Sequence, residues 1–305
     1  MPSLASLKRR VDTWNHNRLS KSILNTPPIV PQSDGLVLFS MIGTAVLLPY
    51  LVAVKSLQHH LQRGRIIILD DGTLTANDRA ILAAHCGKPE IHSIHDVKTD
   101  PCPQGGTWER LLTILAIRSD DYVIQLDSDT VTVGSVPEVL AAITDNCSFS
   151  IAGGKEAANL GFLPIPAFAR HFYPEGPVIG HVQALLESRL GSVPELATSR
   201  YARACSGFAG FARGGPGVEA ARAFSAVGES LTGARWTEWG TEQISSNFVI
   251  ANEAGSSLLP YNRYLNYWAE PWGIDAGFIH FVGTHRFDNG AYAQATRKAI
   301  AALGQ

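Results

Sequence analysis

Short apolar runs alternate with longer amphipathic stretches along the first half of the chain. The runs at 36–42, 65–70 and 122–126 are rich in β-branched and large apolar residues, which is typical of buried strands, and a more polar stretch at 89–96 predicts a further strand. The stretches between them repeat apolar residues at helical spacing, and they lie at 47–62, 78–86 and 107–119. Strands that alternate with helices predict an α/β fold with a mostly parallel central sheet and flanking helices.

Two of the predicted helices carry start signals. Thr75 and Asp78 have the spacing of a capping box before the helix at 78–86. Thr107 can cap the helix at 107–119, in which Trp108 and Leu111 begin an apolar face. These signals place the beginning of each helix close to the end of the preceding strand or loop.

The pattern is looser outside this central region. Further strands are predicted at 149–154, 206–214 and 278–283, and a further helix at 217–231. The stretch at 156–200 is rich in proline and predicts loops. Residues 1–33 predict an N-terminal arm, made of a helix and a proline-rich connection, ahead of a single domain at 34–305.

One segment, 36–54, consists of 19 uncharged residues and has two interpretations. Its length and polarity would suit a membrane-spanning helix. Ser40, Gly43, Thr44 and Pro49 interrupt it, which favours a buried strand, a turn at Gly-Thr and the start of a helix. We adopt the second interpretation and expect no transmembrane span.

Composition narrows the class of protein. The chain has 305 residues and a formal net charge of −2, so no basic surplus points to nucleic acid. Its four cysteines contain no CxxC pair, and we expect reduced, buried thiols, with two disulfides as the alternative. Because the first 20 residues are polar and mixed, we expect a cytoplasmic location, with peripheral contact to a membrane left open. Nothing in the sequence indicates an oligomeric state.

Two carboxylates follow the apolar strand YVIQL at 122–126. Asp127 and Asp129 are separated by one residue, in the stretch DSD. They could begin a solvated turn, or they could hold a divalent cation such as Mn²⁺ or Mg²⁺, whose ligands are usually completed by substrate phosphates. Asp70 and Asp71 also lie at the end of a strand, where ligands bind in parallel sheets.

The run HFVGTHRF at 280–287, taken with DSD, resembles a known pattern. It is similar to the HxxGxxK sequence of retaining, glycogenin-like and bacterial galactosyltransferase-type glycosyltransferases, which have the GT-A (Rossmann-like) fold. The resemblance implies that Asp127, Asp129 and His280 are metal ligands. It also implies that Gly283 contacts the pyrophosphate and that Arg286 stands where the family usually has lysine.

Three further stretches resemble the same family in the same order. TWERLL at 107–112 resembles the helix from which an arginine, here Arg110, reaches the nucleotide-sugar. CSGFAGFARGG at 205–215 resembles the strand after the DxD strand, with Cys205 in place of the usual asparagine. GTEQISSN at 240–247 resembles the segment that lines the sugar and acceptor pocket, which makes Glu242 and Gln243 the candidate catalytic residues.

The resemblance implies a metal-dependent transfer of sugar from a nucleotide-diphosphate sugar, with a UDP-sugar as the expected donor. Residues 34–150 would bind the donor, with Ser128 among its contacts, and the loop-rich residues 151–305 would bind a carbohydrate or other hydroxyl acceptor. Asp70 or Asp71 could accept a hydrogen bond from the uracil N3–H, although an Asp-Gly turn is the simpler explanation of that stretch.

The same resemblance implies retention of the anomeric configuration. Gln243 would then polarise the reacting face, and Glu242 would act as a base or contact the acceptor. If the reaction inverted instead, it would need a carboxylate base, and Glu242 or Glu238 would be the candidates.

Three other functions are consistent with part of the sequence. DSDTV at 127–131 matches the signature of haloacid-dehalogenase-type phosphatases, but three predicted strands precede it where that family has none. A GT-A-like nucleotidyltransferase would use similar carboxylates, but FSMIGTAVLLPY at 39–50 lacks the basic residues of its phosphate loop. A non-catalytic nucleotide- or sugar-binding protein on the same fold is the third alternative.

Overall fold

A computed structural model describes residues 4–304 of the chain. Its strands are β1 Leu36–Ile42, β2 Arg65–Asp70, β3 Glu90–Ser93, β4 Tyr122–Leu126, β5 Thr130–Thr132, β6 Phe149–Ala152, β7 Leu163–Pro164, β8 Arg200–Tyr201, β9 Ala204–Phe211, β10 Ser257–Leu259, β11 Tyr264–Asn266 and β12 Phe278–His280. Its α-helices are α1 Leu4–Ser20, α2 Leu47–Leu61, α3 Ala76–His85, α4 Trp108–Ile117, α5 Pro137–Thr144, α6 Lys155–Leu160, α7 Ile165–Phe172, α8 Val182–Leu190, α9 Val218–Thr232, α10 Thr241–Ala251 and α11 Ala291–Leu303.

The central feature is a seven-stranded sheet in the order β10-β6-β9-β4-β1-β2-β3. Strand β2 is parallel to both β1 and β3, and β10 is parallel to β6, whereas β6 and β9 are antiparallel. Helices follow most strands, so the predicted α/β class with a mostly parallel sheet is confirmed. A smaller three-stranded sheet has the order β11-β12-β5.

The chain divides into two compact units. The first contains the chain up to Ile94, Ile124–Ala141 and the chain from Pro260 onward. Its core includes β1 and β2, together with α2, whose Ser56 hydroxyl accepts a hydrogen bond from the Thr132 amide of β5 at 3.1 Å. The second unit contains His95–Val123 and Ala142–Leu259. Its core includes Trp108, which meets Trp236 edge to face at 5.9 Å between ring centroids.

The apolar segment at 36–54 forms a strand, a turn and a helix, as the sequence predicts. Strand β1 is buried along nearly its whole length, a short 3-10 turn follows at Thr44–Val46, and α2 begins at Leu47. No helix within residues 4–304 is both long enough and apolar enough to cross a membrane. The four cysteines all lie in this described part of the chain, and they form no disulfide.

The stretch at 156–200 differs from the prediction of loops. It contains most of α6, all of α7 and α8, and the short pair β7–β8. Helix α7 has eight residues and begins directly after Pro164, with Pro166 in its first turn. Because proline is favoured in the first turn of a helix, these prolines mark a helix start rather than a loop.

A helix, α1, lies in the N-terminal region where the sequence predicts one. Helix α1 packs against the C-terminal helix α11 of the same unit, and His16 stacks on Tyr292 at 3.7 Å between ring centroids. A 3-10 turn at Lys21–Asn25 follows α1 before the proline-rich connection.

The capping box of Thr75 and Asp78 is also present at the start of α3.

We predict that Arg118→Met lowers the free energy of unfolding by about 3–5 kcal/mol, because it leaves a buried carboxylate without its counter-charge. The Arg118 side chain is fully buried, and its guanidinium donates to both carboxylate oxygens of Glu253 at 2.6 and 2.7 Å and to the Ala212 carbonyl. Urea unfolding measures the change.

The matched control is Arg222→Met, which breaks a partly exposed pair with the exposed Glu219 on α9 of the same unit. Exposed pairs contribute at most about 1 kcal/mol, so the control should change little. Equal losses in the two variants would contradict a structural role for the buried pair.

Candidate active site

The DSD stretch forms a tight turn between β4 and β5. The Thr130 hydroxyl donates to the Asp127 carbonyl at 2.8 Å and closes the turn. The Tyr292 hydroxyl of α11 donates to the Ser128 carbonyl at 3.2 Å, so the C-terminal helix supports the same turn from another side. The sequence predicted the carboxylates but not Tyr292, because nothing local to a helix 164 residues away indicates that contact.

Strand pairing brings His280 to this turn. Strand β12 runs antiparallel to β5, with His280 opposite Thr130 and Phe278 opposite Thr132. The Phe281 amide donates to the Asp129 carbonyl at 2.8 Å, which continues the pairing into the DSD turn itself. Because side chains alternate between faces along a strand, this register decides that His280 meets the acids.

Asp127, Asp129 and His280 form one compact group. Each offers one potential ligand atom, and these three atoms all lie within 4.8 Å of one another. The His280 Nε2 is 3.2 Å from the Asp129 Oδ1. Asp129 and His280 are buried, and Asp127 is half-buried.

The buried Asn266 of β11 contacts the other ring nitrogen of His280. Its Oδ1 is 2.9 Å from the His280 Nδ1, and Asn266 and His280 are direct neighbours in the β11–β12 pair. A carbonyl oxygen can only accept, so this contact favours the tautomer with the proton on Nδ1. The Nε2 can then share a proton with the Asp129 carboxylate or, on losing that proton, present its lone pair to a cation, as in protein sites where an outer partner orients a histidine ligand.

Asp129 is held as a carboxylate. Its burial favours the neutral acid and raises its pKa, but the charge and hydrogen bond of His280 and the charge of Arg286 together outweigh burial, and the pKa is lowered. The Arg286 guanidinium forms an ion pair with the Asp129 Oδ2. The Arg286 Nε also donates to the Phe281 carbonyl at 3.1 Å, which fixes the position of this side chain.

The donor set of these three side chains fits a divalent cation. Two carboxylates supply hard oxygen ligands and His280 supplies an imidazole nitrogen, a mixture that suits Mn²⁺ better than the all-oxygen preference of Mg²⁺. The buried charge of Asp129 also gains from a nearby cation. Three protein ligands leave coordination positions for oxygens of a bound molecule.

Gly283 follows this group directly. It begins the 3-10 turn Gly283–His285 with a φ of +45°, a left-handed conformation that favours glycine. The turn leads into Arg286, so its geometry places the guanidinium beside Asp129. The residues that match the HxxGxxK pattern, from His280 to Arg286, therefore form one continuous segment: the end of β12, the turn at Gly283, and the arginine that follows the turn.

The two acids at the end of β2 have different surroundings. Asp70 is buried, accepts from the Gly72 and Leu74 amides at 2.9 and 3.2 Å, and pairs with Arg79. Asp71 is exposed and accepts from the Thr73 amide and hydroxyl at 3.0 and 2.6 Å. A side chain at Gly43 would come within 2.2 Å of the Asp71 carboxylate, so glycine lets the end of β1 approach it.

The candidate residues of the second unit form a separate group around Glu242. This buried carboxylate accepts from the Arg110 guanidinium and from the Thr107 hydroxyl, both at 2.9 Å. The prediction that Thr107 caps α4 through its side chain is wrong, since its hydroxyl is directed to Glu242 instead. Gln243 is only half-buried, and its Oε1 accepts from the Ser206 amide of β9 at 3.1 Å.

The chain was compared with protein-family models, with curated proteins and with solved structures. No protein-family model matches the chain. No curated protein matches it either.

Solved structures, however, match over most of the chain. The galactosyltransferase LgtC in complex with donor and acceptor sugar analogues matches with a TM-score of 0.53 at 13% identity, over 88% of this chain and 96% of that chain. The bifunctional glycosyltransferase WbbM in its apo form matches with a TM-score of 0.50 at 14% identity, over 90% of this chain and 51% of that chain. The protein thus has the GT-A fold, and it spans about half the length of WbbM.

We predict that Asn266→Ala weakens Mn²⁺ binding by about 10- to 100-fold, because His280 loses the contact that orients its ring. Electron paramagnetic resonance of free Mn²⁺ measures the affinity directly, with no need for turnover. Asn247→Ala removes another buried asparagine, which donates to the Ala204 carbonyl in the second unit, and serves as the control. Unchanged Mn²⁺ affinity in a folded Asn266→Ala protein would show that Asn266 does not orient a metal ligand.

Proposed function

We propose that this protein is a metal-dependent glycosyltransferase that moves a sugar from a nucleotide-diphosphate sugar to a hydroxyl acceptor. The observation that carries the proposal is the convergence of Asp127, Asp129 and His280 within 4.8 Å on a GT-A fold. The expected metal is Mn²⁺ or Mg²⁺, with Mn²⁺ favoured by the imidazole in the donor set. The expected donor is a UDP-sugar.

The chemistry of the leaving group explains the need for these residues. When the anomeric bond breaks, negative charge grows on the diphosphate, and a bound divalent cation would supply positive charge at those oxygens. Asp127, Asp129 and His280 would hold that cation. Arg286 would exchange its ion pair with Asp129 for a diphosphate oxygen, and the backbone at Gly283 would approach the same group.

Asp71 is the better candidate for contact with the base. The Asp70 carboxylate already accepts two backbone amides and pairs with Arg79, so it stabilises the loop after β2. Asp71 is exposed, lies next to Gly43, and can accept a further hydrogen bond from an N–H such as that of uracil N3. This assignment supports UDP over donors whose base lacks an N–H at that position.

The group around Glu242 supports a division of roles between neighbouring residues. Glu242 is buried and engaged with Arg110 and Thr107, so it would position the start of α4 and the Arg110 guanidinium. Gln243 reaches the surface of its unit from the first turn of α10, and its amide can contact the sugar. An amide suits a polarising role and a retaining reaction better than it suits a base.

An inverting reaction is less well supported, because both candidate bases, Glu238 and Glu242, are paired with arginines. Hydrogen bonding to Arg235 lowers the pKa of the exposed Glu238, which makes that carboxylate a weaker general base. Glu242 would first have to leave Arg110. A base for an inverting mechanism would therefore need a rearrangement of one of these pairs.

The structure gives less support to the three alternative functions: a phosphatase, a nucleotidyltransferase and a non-catalytic binding protein. Asp127 follows the fourth strand of the chain and lies in a GT-A fold, whereas a dehalogenase-type phosphatase carries its nucleophile on the first strand. The turn after β1, Gly43–Val46, carries no lysine or arginine for a nucleotidyltransferase phosphate loop. A non-catalytic binding protein on this fold is separated from an enzyme by the measurements below.

We predict that UDP binding requires Mn²⁺ and that Asp129→Asn abolishes the metal-dependent part, because it removes one anionic ligand and the partner of Arg286. Calorimetry with Mn²⁺ and with chelator measures binding. Release of UDP from a panel of UDP-sugars measures turnover, which should fall by at least ~100-fold in the variant.

Asp145→Asn, an exposed acid of the second unit, is the control and should behave as the wild type. Metal-dependent UDP binding without release of UDP from any donor would identify the non-catalytic alternative. Equal UDP binding with Mn²⁺ and with chelator would contradict the metal role of the three side chains.

We predict that Arg286→Gln has opposite effects on the two ligands. Mn²⁺ binding without nucleotide should become about three- to tenfold tighter, because the guanidinium no longer competes for Asp129. UDP binding in the presence of Mn²⁺ should weaken by roughly tenfold or more, because a charged donor to phosphate is lost. Arg286→Lys keeps the charge without the planar fork, so an intermediate UDP affinity is expected. Parallel losses for both ligands would contradict this exchange of partners.

A further inference from the structure

Helix α1 presents three large apolar side chains to solvent. Leu7, Val11 and Trp14 are 53%, 50% and 62% exposed. They are spaced by four and three residues, so they lie on one face of the helix. An exposed apolar stripe of this kind on a helix marks an interaction surface more often than single exposed residues do.

Two basic residues flank this stripe, and other basic residues lie elsewhere on the same helix. The helix and the turn after it contain Lys8, Arg9, Arg10, Arg18 and Lys21, and Asp12 is the one acid between residues 4 and 25. Arg10 and Arg18 lie beside the apolar face at helical spacing, and the Arg18 guanidinium stacks over the Trp14 ring at 5.3 Å. Because the whole chain has a net charge of −2, the positive charge is concentrated at this helix.

The opposite face of α1 fixes the helix to its own unit. His16 is buried against Tyr292 and Phe287, and burial lowers its pKa to about 4, so the ring stays neutral in this contact. At the other end of the helix, Lys8 donates to the Asn289 side chain at 3.3 Å. These contacts fix the orientation of α1, so the apolar stripe faces solvent.

We propose that α1 binds the surface of an anionic lipid bilayer. In such binding, Leu7, Val11 and Trp14 would enter the boundary between headgroups and acyl chains, and Arg10 and Arg18 would contact lipid phosphates. Charge complementarity favours this occupant. A second copy of the chain would bring the same basic residues together, and three side chains are far fewer than the roughly 20–30 per partner of a stable protein interface. The proposal does not depend on the proposed enzymatic function.

The test is cosedimentation of the full chain with vesicles. One set consists of phosphatidylcholine alone, and a second set contains phosphatidylglycerol as well. We expect binding to the second set only, reduced by high salt because the charges are at the surface. The double variant Arg10→Gln/Arg18→Gln should reduce partitioning by ~10-fold or more, and Leu7→Ser/Trp14→Ser should do the same.

Ile274→Ser is the matched control, because Ile274 is 99% exposed and lies outside α1. Quenching of tryptophan fluorescence by brominated lipid in wild type, lost in Trp14→Phe, would place α1 at the bilayer. Absence of binding to the anionic vesicles, or binding that the α1 variants leave unchanged, would overturn the proposal. So would self-association in sedimentation velocity that Leu7→Ser/Trp14→Ser abolishes, since a second copy would then cover the stripe.

Discussion

A buried negative charge at Asp129 is the constraint on which the rest of this region depends. A carboxylate that is 9% exposed is costly unless cations or hydrogen-bond donors surround it. The two side chains that pair with it, His280 and Arg286, come from the end of β12 and from the residue after the turn that follows. The chain must therefore return to β5 as an antiparallel strand, in the one register that brings these side chains to the DSD turn. The small sheet, the turn at Gly283 and helix α11 all contribute to that return.

In each unit, two neighbouring candidate residues differ in burial: one is buried and the other reaches solvent. At the end of β2, Asp70 is engaged by backbone amides and Arg79, while Asp71 is exposed. At the start of α10, Glu242 is buried with Arg110, while Gln243 is only half-buried. In each pair the buried acid fixes a loop or helix, and the next residue is more exposed. A role must therefore be assigned to each polar residue of a motif separately, because residues adjacent in sequence can differ widely in burial and in hydrogen-bond partners.

Much of this could be predicted from the sequence, for physical reasons that also explain the errors. The buried strands β1, β2 and β4 are nearly continuous apolar runs, and the capping box before α3 is a local interaction, so both are visible in the sequence. The DSD turn and His280 could be paired through a family pattern. Helix α7 was missed because eight residues give little periodicity and prolines in its first turn suggest a loop. Asn266, and the contact of Thr107 with Glu242, depend on tertiary neighbours that no local pattern encodes.

The distance along the chain between Asp129 and Arg286, 157 residues, has a consequence for the order of folding. Contacts between residues so far apart in sequence form late, because a long loop must close before they contribute. During synthesis the two acids of the DSD turn leave the ribosome well before His280 exists. A nascent chain therefore cannot assemble the three proposed ligands, and occupancy by Mn²⁺ would report that β12 has reached its place. A metal ion would then act as a probe of completed folding, and its dissociation as a probe of local opening of β12.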